Sequence, residues 1–464
     1  MTTHHPLGIL TAVAMGATAA AQTGWVQLLP AVQPPLRAYH AMTFDLARGT
    51  TLMFGGWTAT SGSSTLADTW EWNGVNWVAR VTAHSPPARC GNALAADLNR
   101  GRIVLFGGTN VISNSDMNDT WEYDGNDWAQ VPTQNQPSAR RFSKMEYDAT
   151  RARVVLFGGG LGGYGTPVHG DTWEWDGASW TFRTPAASPP ARWGHGMAYD
   201  FARARIVLTN GSPGGTAILM ADAWTWDGTN WSQVPAAPTP PTTGLGLAND
   251  PVHEVVVRFG GVGTGAETWL FDHVSWRRDP RSLAPSSRSW FPLAHDVPRG
   301  RTILFGGAAG AAALLNDTWE YDPGAIARWT PSGSGCPGTS GVPALQPASG
   351  SLPIVGSTFV LELLGVPGSG AAISIGFSNQ QWNGNPLPWD LGTIGMTGCT
   401  LHVSPDFVSF APVVAGRATL SWQVPNAPGL IGTRFFDQGF ALDPAANPLG
   451  AIVSNAGAGI VGPF

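Results

Sequence analysis

One segment of this chain recurs six times, and this recurrence limits the possible folds more than any other feature. An apolar run that ends in Phe-Gly-Gly, or in a degenerate form of it, appears at residues 54–56, 106–108, 157–159, 208–211, 259–261 and 305–307. Successive copies start 46 to 52 residues apart. A repeat of this length is one supersecondary unit, which can bury its apolar faces only against neighbouring units.

Each copy contains the same four parts in the same order. A Pro-x-Ala-Arg segment leads into a first strand that ends at an Asp, as in residues 190–200, and the Gly-Gly run follows. A segment such as Asp-Thr-Trp-Glu-Trp-Asp-Gly at 171–177 comes next, and then a strand that opens with a Trp, such as Trp180. The Asp-x-x-Arg and Asp-Gly links favour tight turns. We therefore predict four antiparallel strands in each repeat.

Six such sheets can bury all their faces when they pack radially, as the blades of a β-propeller do. Charged residues make up only 12% of the chain, while Gly and Pro number 60 and 38. This composition excludes coiled coils and helix bundles, which need charged faces. The predicted fold class is all-β, with a six-bladed propeller followed by a small β-sandwich.

The period and the double glycine resemble the kelch repeat of the galactose oxidase-like propellers, in particular those of exported bacterial proteins. The resemblance covers about residues 22–331. The fourth copy has lost the double glycine, and the fifth has Asp272-His273 where Gly is expected. In that family a terminal strand often closes the ring. The segment that begins at Trp25 and the segment around Trp329 are both candidates, and the sequence leaves the choice open.

The N-terminus is typical of a secretory signal peptide, which we place at residues 1–21. An apolar stretch from Leu7 to Ala20 precedes a small-residue site before Gln22, although no Lys or Arg stands in front of it. No later segment is apolar over 18 residues, so we expect no transmembrane span. The predicted location is therefore secreted or in the cell envelope.

Composition changes at the Ser-Gly-Ser-Gly linker that begins at Ser332. Residues 332–464 contain few charges and several short alternating strands, which predicts a β-sandwich. In an exported protein a disulfide between Cys336 and Cys399 is the economical pairing. Cys90 is then unpaired, and we expect it to be a small buried residue.

Most of the 22 Trp residues stand at repeated positions, which indicates packing between blades. Trp57, Trp193 and Trp290 depart from the repeat and are candidates for contact with a ligand. They belong to the face that carries the long, irregular connections, where binding usually occurs on a rigid scaffold. We call it the long-loop face.

An Arg precedes the first strand in five of the six copies on this same face. These residues are Arg37, Arg89, Arg140, Arg192 and Arg288, with Thr242 in the fifth copy. Three residues later come His40 and His195 in the first and fourth copies. A partial ring of guanidinium groups suits a carboxylate or another anion. The alternative is that each Arg pairs with a carboxylate or carbonyl of the neighbouring blade.

No catalytic signature stands out in the sequence. Zinc motifs and the Gly-x-Ser-x-Gly elbow are absent, and we expect no metal and no cofactor. The net charge of −6 argues against a nucleic-acid partner. The favoured function is non-enzymatic binding of a glycan or a protein at the long-loop face. The alternatives are a sugar mutarotase or epimerase that uses Arg192 and His195 with a nearby Glu, and a structural component of an envelope or matrix.

Overall fold

The computed structural model describes residues 24–462, apart from short gaps. These gaps are residues 60–63, 162–166, 215–218, 236–238, 273–274, 280, 282, 311–312, 325–326, 350, 369 and 428–429. The predicted signal peptide lies outside the described residues. In the part of the chain that is described, no helix is long and apolar enough to cross a membrane.

Six four-stranded antiparallel sheets form the blades of a propeller, and the sequence of strands is the one that the repeat predicts. Blades 1 to 3 comprise, from the inner to the outer strand, Ala41–Asp45, Thr50–Phe54, Thr69–Trp72 and Trp77–Arg80; Ala93–Asp97, Arg102–Phe106, Thr120–Tyr123 and Trp128–Val131; Lys144–Asp148, Arg153–Phe157, Thr172–Trp175 and Trp180–Arg183. Blades 4 to 6 comprise Gly196–Asp200, Arg205–Thr209, Ala223–Trp226 and Trp231–Gln233; Gly246–Asp250, Val255–Phe259, Thr268–Phe271 and Trp276–Arg278; Leu293–Asp296, Arg301–Ala309, Ala313–Asp322 and Gly24–Leu28.

The N-terminal strand closes the ring. Gly24–Leu28 pairs antiparallel with Ala313–Asp322 and forms the outer strand of blade 6. The other candidate, Arg328–Ser332, pairs instead with Ala451–Ile460 in the C-terminal sheet. Blade 6 is therefore built from both ends of the repeat region, which are held together by backbone hydrogen bonds.

The C-terminal region forms one curved eight-stranded sheet with a sandwich-like core. The strands run in the order Arg328–Ser332, Ala451–Ile460, Arg434–Leu442, Gly370–Gly376, Phe407–Val414, Arg417–Gln423, Thr358–Leu364 and Ala344–Pro347. Shorter elements complete it: the pairs Gln381–Trp382 with Asn385–Pro386 and Trp389–Asp390 with Thr400–Leu401, and a 3-10 helix at Leu391–Ile394. The predicted disulfide between Cys336 and Cys399 is present and lies in this core.

Neighbouring blades are linked by a repeated hydrogen bond. In five of the six blades, the indole N–H of the outer-strand Trp donates to the hydroxyl of a Thr on the third strand of the preceding blade, at 2.8–2.9 Å. The pairs are Trp25 with Thr268, Trp77 with Thr318, Trp128 with Thr69, Trp180 with Thr120 and Trp231 with Thr172. The regular Trp residues of the outer strands are thus packing residues between blades, as the repeat predicts.

The turns at the opposite face, which we call the tight-turn face, link the blades as well. Arg48 pairs with Asp45 at the start of its own turn and also donates to the backbone carbonyl of Asp124 in the next blade. Arg299 joins Asp296 to the carbonyl of Asn73 in the same way. The recurring Asp and Arg residues of this face are therefore turn residues that also hold adjacent blades together.

Candidate functional site

The five Arg residues of the long-loop face are buried and paired inside their own blades. Each guanidinium makes two hydrogen bonds to one carboxylate, at 2.6–2.9 Å, and a third to the carbonyl of residue 55, 107, 158, 210 or 306. The pairs are Arg37 with Asp68, Arg89 with Asp119, Arg140 with Asp171, Arg192 with Asp222 and Arg288 with Asp317. The carboxylate belongs to the same blade, and not to the neighbouring blade as the alternative interpretation supposed.

This pairing leaves the Arg set little capacity for a ligand. The Arg side chains are 0–1% exposed, and each Nε also donates to the carbonyl two residues before it in the chain. The Arg residues join the entry to the first strand with the entry to the third. The geometry favours a structural role, in which they hold the long connections in place.

His40 and His195 lie between blades. The His40 ring packs edge-on against Phe305 at 5.7 Å, and the His195 ring packs against Phe157 at 5.6 Å. The equivalent residue in blade 6 is Phe291, which packs against the preceding blade in the same manner. Burial lowers the pKa of both imidazoles well below its ordinary value, and the nearby Arg37 and Arg192 lower it further. Both rings are therefore neutral packing groups at physiological pH.

A closed ring of backbone hydrogen bonds surrounds the propeller axis at the long-loop face. It consists of the residues two positions after the repeated Arg: Tyr39, Gly91, Phe142, Gly194, Gly244 and Trp290. Each N–H donates to the carbonyl of the preceding member, at 2.7–3.0 Å, and the N–H of Tyr39 returns to Trp290. All six have a φ of 58–66°. Such a φ is unfavourable for residues other than glycine, so the ring imposes strain on three aromatic residues.

The glycines of this axial ring make room for the aromatic side chains. A Cβ atom added to Gly91 would lie 2.8 Å from the ring of Phe142, and one added to Gly244 would lie 2.7 Å from the indole of Trp290. Side chains at all six positions could not fit around the axis. The alternation of glycine and aromatic residues therefore places a few large rings over the mouth of the channel.

Five aromatic residues form one cluster at this mouth. Tyr39, Phe142 and Trp290 lie 5.1–5.6 Å from one another, measured between ring centroids. Trp193 stacks on Trp290 at 5.6 Å with an interplanar angle of 8°, and Trp57 contacts Tyr39 at 6.4 Å. All five side chains are half-buried. We call these five residues the aromatic cluster.

The structure thus brings together the three irregular Trp residues that the sequence singled out. Tyr39 and Phe142 were missed by the sequence analysis, although a signal existed. Both stand two residues after the repeated Arg, at the position that Trp290 occupies in blade 6 and that glycine occupies in three other copies. Comparison of this position across the six copies would have shown that it holds either an aromatic residue or glycine.

Only a small space lies beneath the aromatic cluster. The cavity has a volume of about 30 Å³, and its lining includes Asn92, Ser143 and Lys144. A space of this size holds about one water molecule. Burial lowers the pKa of Lys144, with Glu146 acting in the opposite direction. The mouth is therefore a shallow aromatic surface, and the described residues form no deep pocket under it.

Cys90 lies beside this face as a free, buried thiol, as expected from the sequence. Burial raises the pKa of its thiol to about 12, which keeps it protonated. Among the described residues, no group of His, Cys, Asp and Glu side chains is arranged to hold a metal ion.

No family model matches this chain, and no curated protein matches its sequence. Among solved structures, one titled "Structure of YjhT" is similar over 62% of this chain and 95% of its own length, with 13% identity and a TM-score of 0.49. The six-bladed arrangement is established by the strand pairing described above.

Proposed function

We propose that this chain is an exported, non-enzymatic binding protein whose long-loop face binds a glycan. The aromatic cluster is the observation that carries the proposal. Five half-buried rings meet at one mouth of the channel, and the indoles of Trp193 and Trp290 stack on each other within it. Sugar rings present a flat face of C–H groups, which packs well on indole rings.

The cluster is asymmetric, as a ligand site is expected to be. Large rings come from blades 1, 3, 4 and 6, while Gly91 and Gly244 leave blades 2 and 5 open at the axis. The Arg–Asp pairs lie beneath the long connections, where they fix the backbone on which the rings are displayed. In this proposal the Arg residues support the site and do not touch the ligand.

The rival proposal, a sugar mutarotase or epimerase, has less support. It needs Arg192 and His195 in contact with a substrate. Arg192 is bonded to Asp222, and His195 is fully buried against Phe157. Neither side chain can reach a sugar without a rearrangement of the blade.

A glycan array probed with the secreted form, which starts at Gln22, tests the proposal. We expect Trp193→Ala and Trp290→Ala each to reduce binding at least tenfold, since stacked aromatic contacts carry most of the affinity of such a site. Trp382→Ala, which removes a partly buried Trp of the C-terminal region, serves as the matched control and should bind normally. The thermal unfolding of each variant is measured alongside.

Two outcomes would contradict the proposal. Binding that survives both substitutions in the aromatic cluster would move the site elsewhere. The absence of binding to every glycan, with folded protein, would favour a protein partner or a structural role.

A further inference from the structure

The other mouth of the channel contains a second and larger cavity, which the proposed function does not use. It lies at the tight-turn end, has a volume of about 130 Å³, and is lined by residues from the first strands of all six blades and the turns that follow them. A cavity of about 150 Å³ accommodates a molecule as large as benzene. The space is therefore sufficient for a small organic molecule.

Blade 3 breaks the symmetry of this cavity with an ionisable residue. Glu146 lines it and is half-buried, at the first-strand position where each other blade has a small side chain. The equivalent residues are Thr43, Ala95, Ala198, Ala248 and Ala294. Packing between blades requires only a small residue at this position, so it does not account for a carboxyl group.

An unpartnered hydrogen-bond acceptor lies in the same cavity. The side-chain amide of Asn249 donates to the carbonyl of Val255 at 3.4 Å, while its Oδ1 is buried without a partner. Asn249 is only 9% exposed. A buried carbonyl oxygen that lacks a donor costs free energy unless a ligand or water supplies one.

Aromatic side chains form much of the remaining wall. Phe44, Tyr147, Tyr199 and Phe201 all line the cavity. The hydroxyl groups of the two Tyr residues contact the turn of the preceding blade, at Asn99 and Thr150. Their donors and acceptors are thus used away from the cavity, and the rings remain as its wall.

A carboxyl group, an orphan carbonyl oxygen and aromatic rings together favour a positively charged guest. No Lys or Arg is among the described residues that line this cavity. We propose that the tight-turn mouth of the channel binds a small organic ammonium ion, with Glu146 as its counter-ion, Asn249 as a hydrogen-bond acceptor and the aromatic wall around its alkyl groups.

The groups around Glu146 set the pH at which this site binds. Lys144 lies two residues away on the same face of the strand, Tyr199 faces Glu146 from blade 4, and His295 lines the cavity from blade 6. Burial raises the pKa of Glu146 to about 8, against the lowering effects of Lys144 and of the Tyr199 backbone. An ammonium ion stabilises the ionised carboxylate, so binding near neutral pH should release a proton.

Titration calorimetry with tert-butylammonium chloride tests this proposal, with tert-butanol as the neutral molecule of the same shape. We expect the ammonium ion to bind at least tenfold more tightly than the alcohol at pH 9. The ammonium ion should bind more weakly at pH 6 than at pH 9. At pH 7 the heat should depend on the ionisation enthalpy of the buffer, because Glu146 loses its proton. Glu146→Gln should weaken ammonium binding about tenfold or more and leave alcohol binding unchanged.

Glu254→Gln is the matched control, because it removes an exposed carboxylate from the same face outside the cavity. Equal binding of alcohol and ammonium, equal affinity in Glu146→Gln, or no binding of the ammonium ion at tens of millimolar would overturn the proposal. If Glu146→Gln fails to fold, the comparison of the two probes at two pH values in the unmodified protein decides. None of these results depends on glycan binding.

Discussion

Five of the six interfaces between blades contain the same Trp–Thr hydrogen bond, and the interface between blades 4 and 5 lacks it. In the five, an outer-strand indole donates to a Thr of the preceding blade. In the sixth, Ala223 of blade 4 stands at the position of that Thr, and the buried indole N–H of Trp276 in blade 5 has no acceptor. The contrast shows that the repeat tolerates the loss of one bond when the surrounding apolar packing is retained.

Blade 5 also lacks the repeated Arg, yet a guanidinium is still present there. Arg258, on the second strand, occupies a position where the other blades have Leu or Met, and it is fully buried. It donates to the carbonyl of Pro240, two residues before Thr242, which is the carbonyl that the repeated Arg binds in other blades. Glu267 stands where the others have Asp. The guanidinium therefore comes from a different strand but lies at the same place in the blade.

The largest effect is expected when a mutation removes one of the five regular Arg–Asp pairs. Arg192→Ala would remove the donor of the Asn210 carbonyl and the charged partner of the Asp222 carboxylate, which would keep the indole N–H of Trp224. It should reduce the free energy of unfolding by about 3 kcal/mol. Urea unfolding measures this. The control is Arg278→Ala, an exposed pair with Glu267, which should cost less than about 1 kcal/mol. An equally small effect for Arg192→Ala would refute the structural role of the Arg set.

A smaller effect is expected for Arg258, the relocated guanidinium of blade 5. The Nε of Arg258 lacks a partner, and burial lowers the pKa of this side chain to about 10, with Glu267 acting to raise it. Arg258→Leu should therefore cost less than Arg192→Ala, about 2 kcal/mol. Addition of Thr242→Arg should restore stability, because it rebuilds the regular arrangement opposite Glu267. If the double variant is no more stable than Arg258→Leu, the two guanidinium positions are not equivalent.

The tight turn of blade 5 differs from those of the other blades in its basic residue. His253 replaces the usual Arg, with its Nδ1 2.8 Å from Asp250 and its Nε2 3.6 Å from Asp322 of blade 6. Although burial raises the pKa of Asp250, its bonds with His253 and the charge of His295 hold it below the ordinary value, so this carboxylate is ionised at neutral pH. A guanidinium at residue 253 would place a full positive charge and five N–H donors between these two carboxylates.

We therefore expect His253→Arg to raise the free energy of unfolding by about 1 kcal/mol at neutral pH. Urea unfolding measures the difference. His84→Arg controls for an arginine introduced elsewhere, because His84 is an exposed residue that contacts Asp127 on an outer loop. A gain in His253→Arg no larger than that in His84→Arg would mean that the contacts of residue 253 do not matter.

The repeat predicted the blades because each one satisfies the same local rules. Turns such as Asp176-Gly177 and the alternating inner strands recur, so their structure follows from sequence alone. The aromatic cluster could be predicted only in part. Trp193 and Trp290 break the repeat pattern, whereas Tyr39 and Phe142 contact them only because the blades close into a ring. The contact of Arg258 with Pro240 depends on where two strands lie in space, and no periodicity reports it.

A second gain of similar size is expected at the incomplete interface between blades 4 and 5. Ala223→Thr would place a hydroxyl opposite the indole N–H of Trp276, as in the five interfaces where this bond is 2.8–2.9 Å long. Supplying a partner to a buried donor should raise the free energy of unfolding by about 1 kcal/mol, measured by urea unfolding. Ala223→Val has the same shape without the hydroxyl and should give no such gain. If Val stabilises as much as Thr, the benefit comes from side-chain shape, and the repeated bond adds little to the cohesion of the blades.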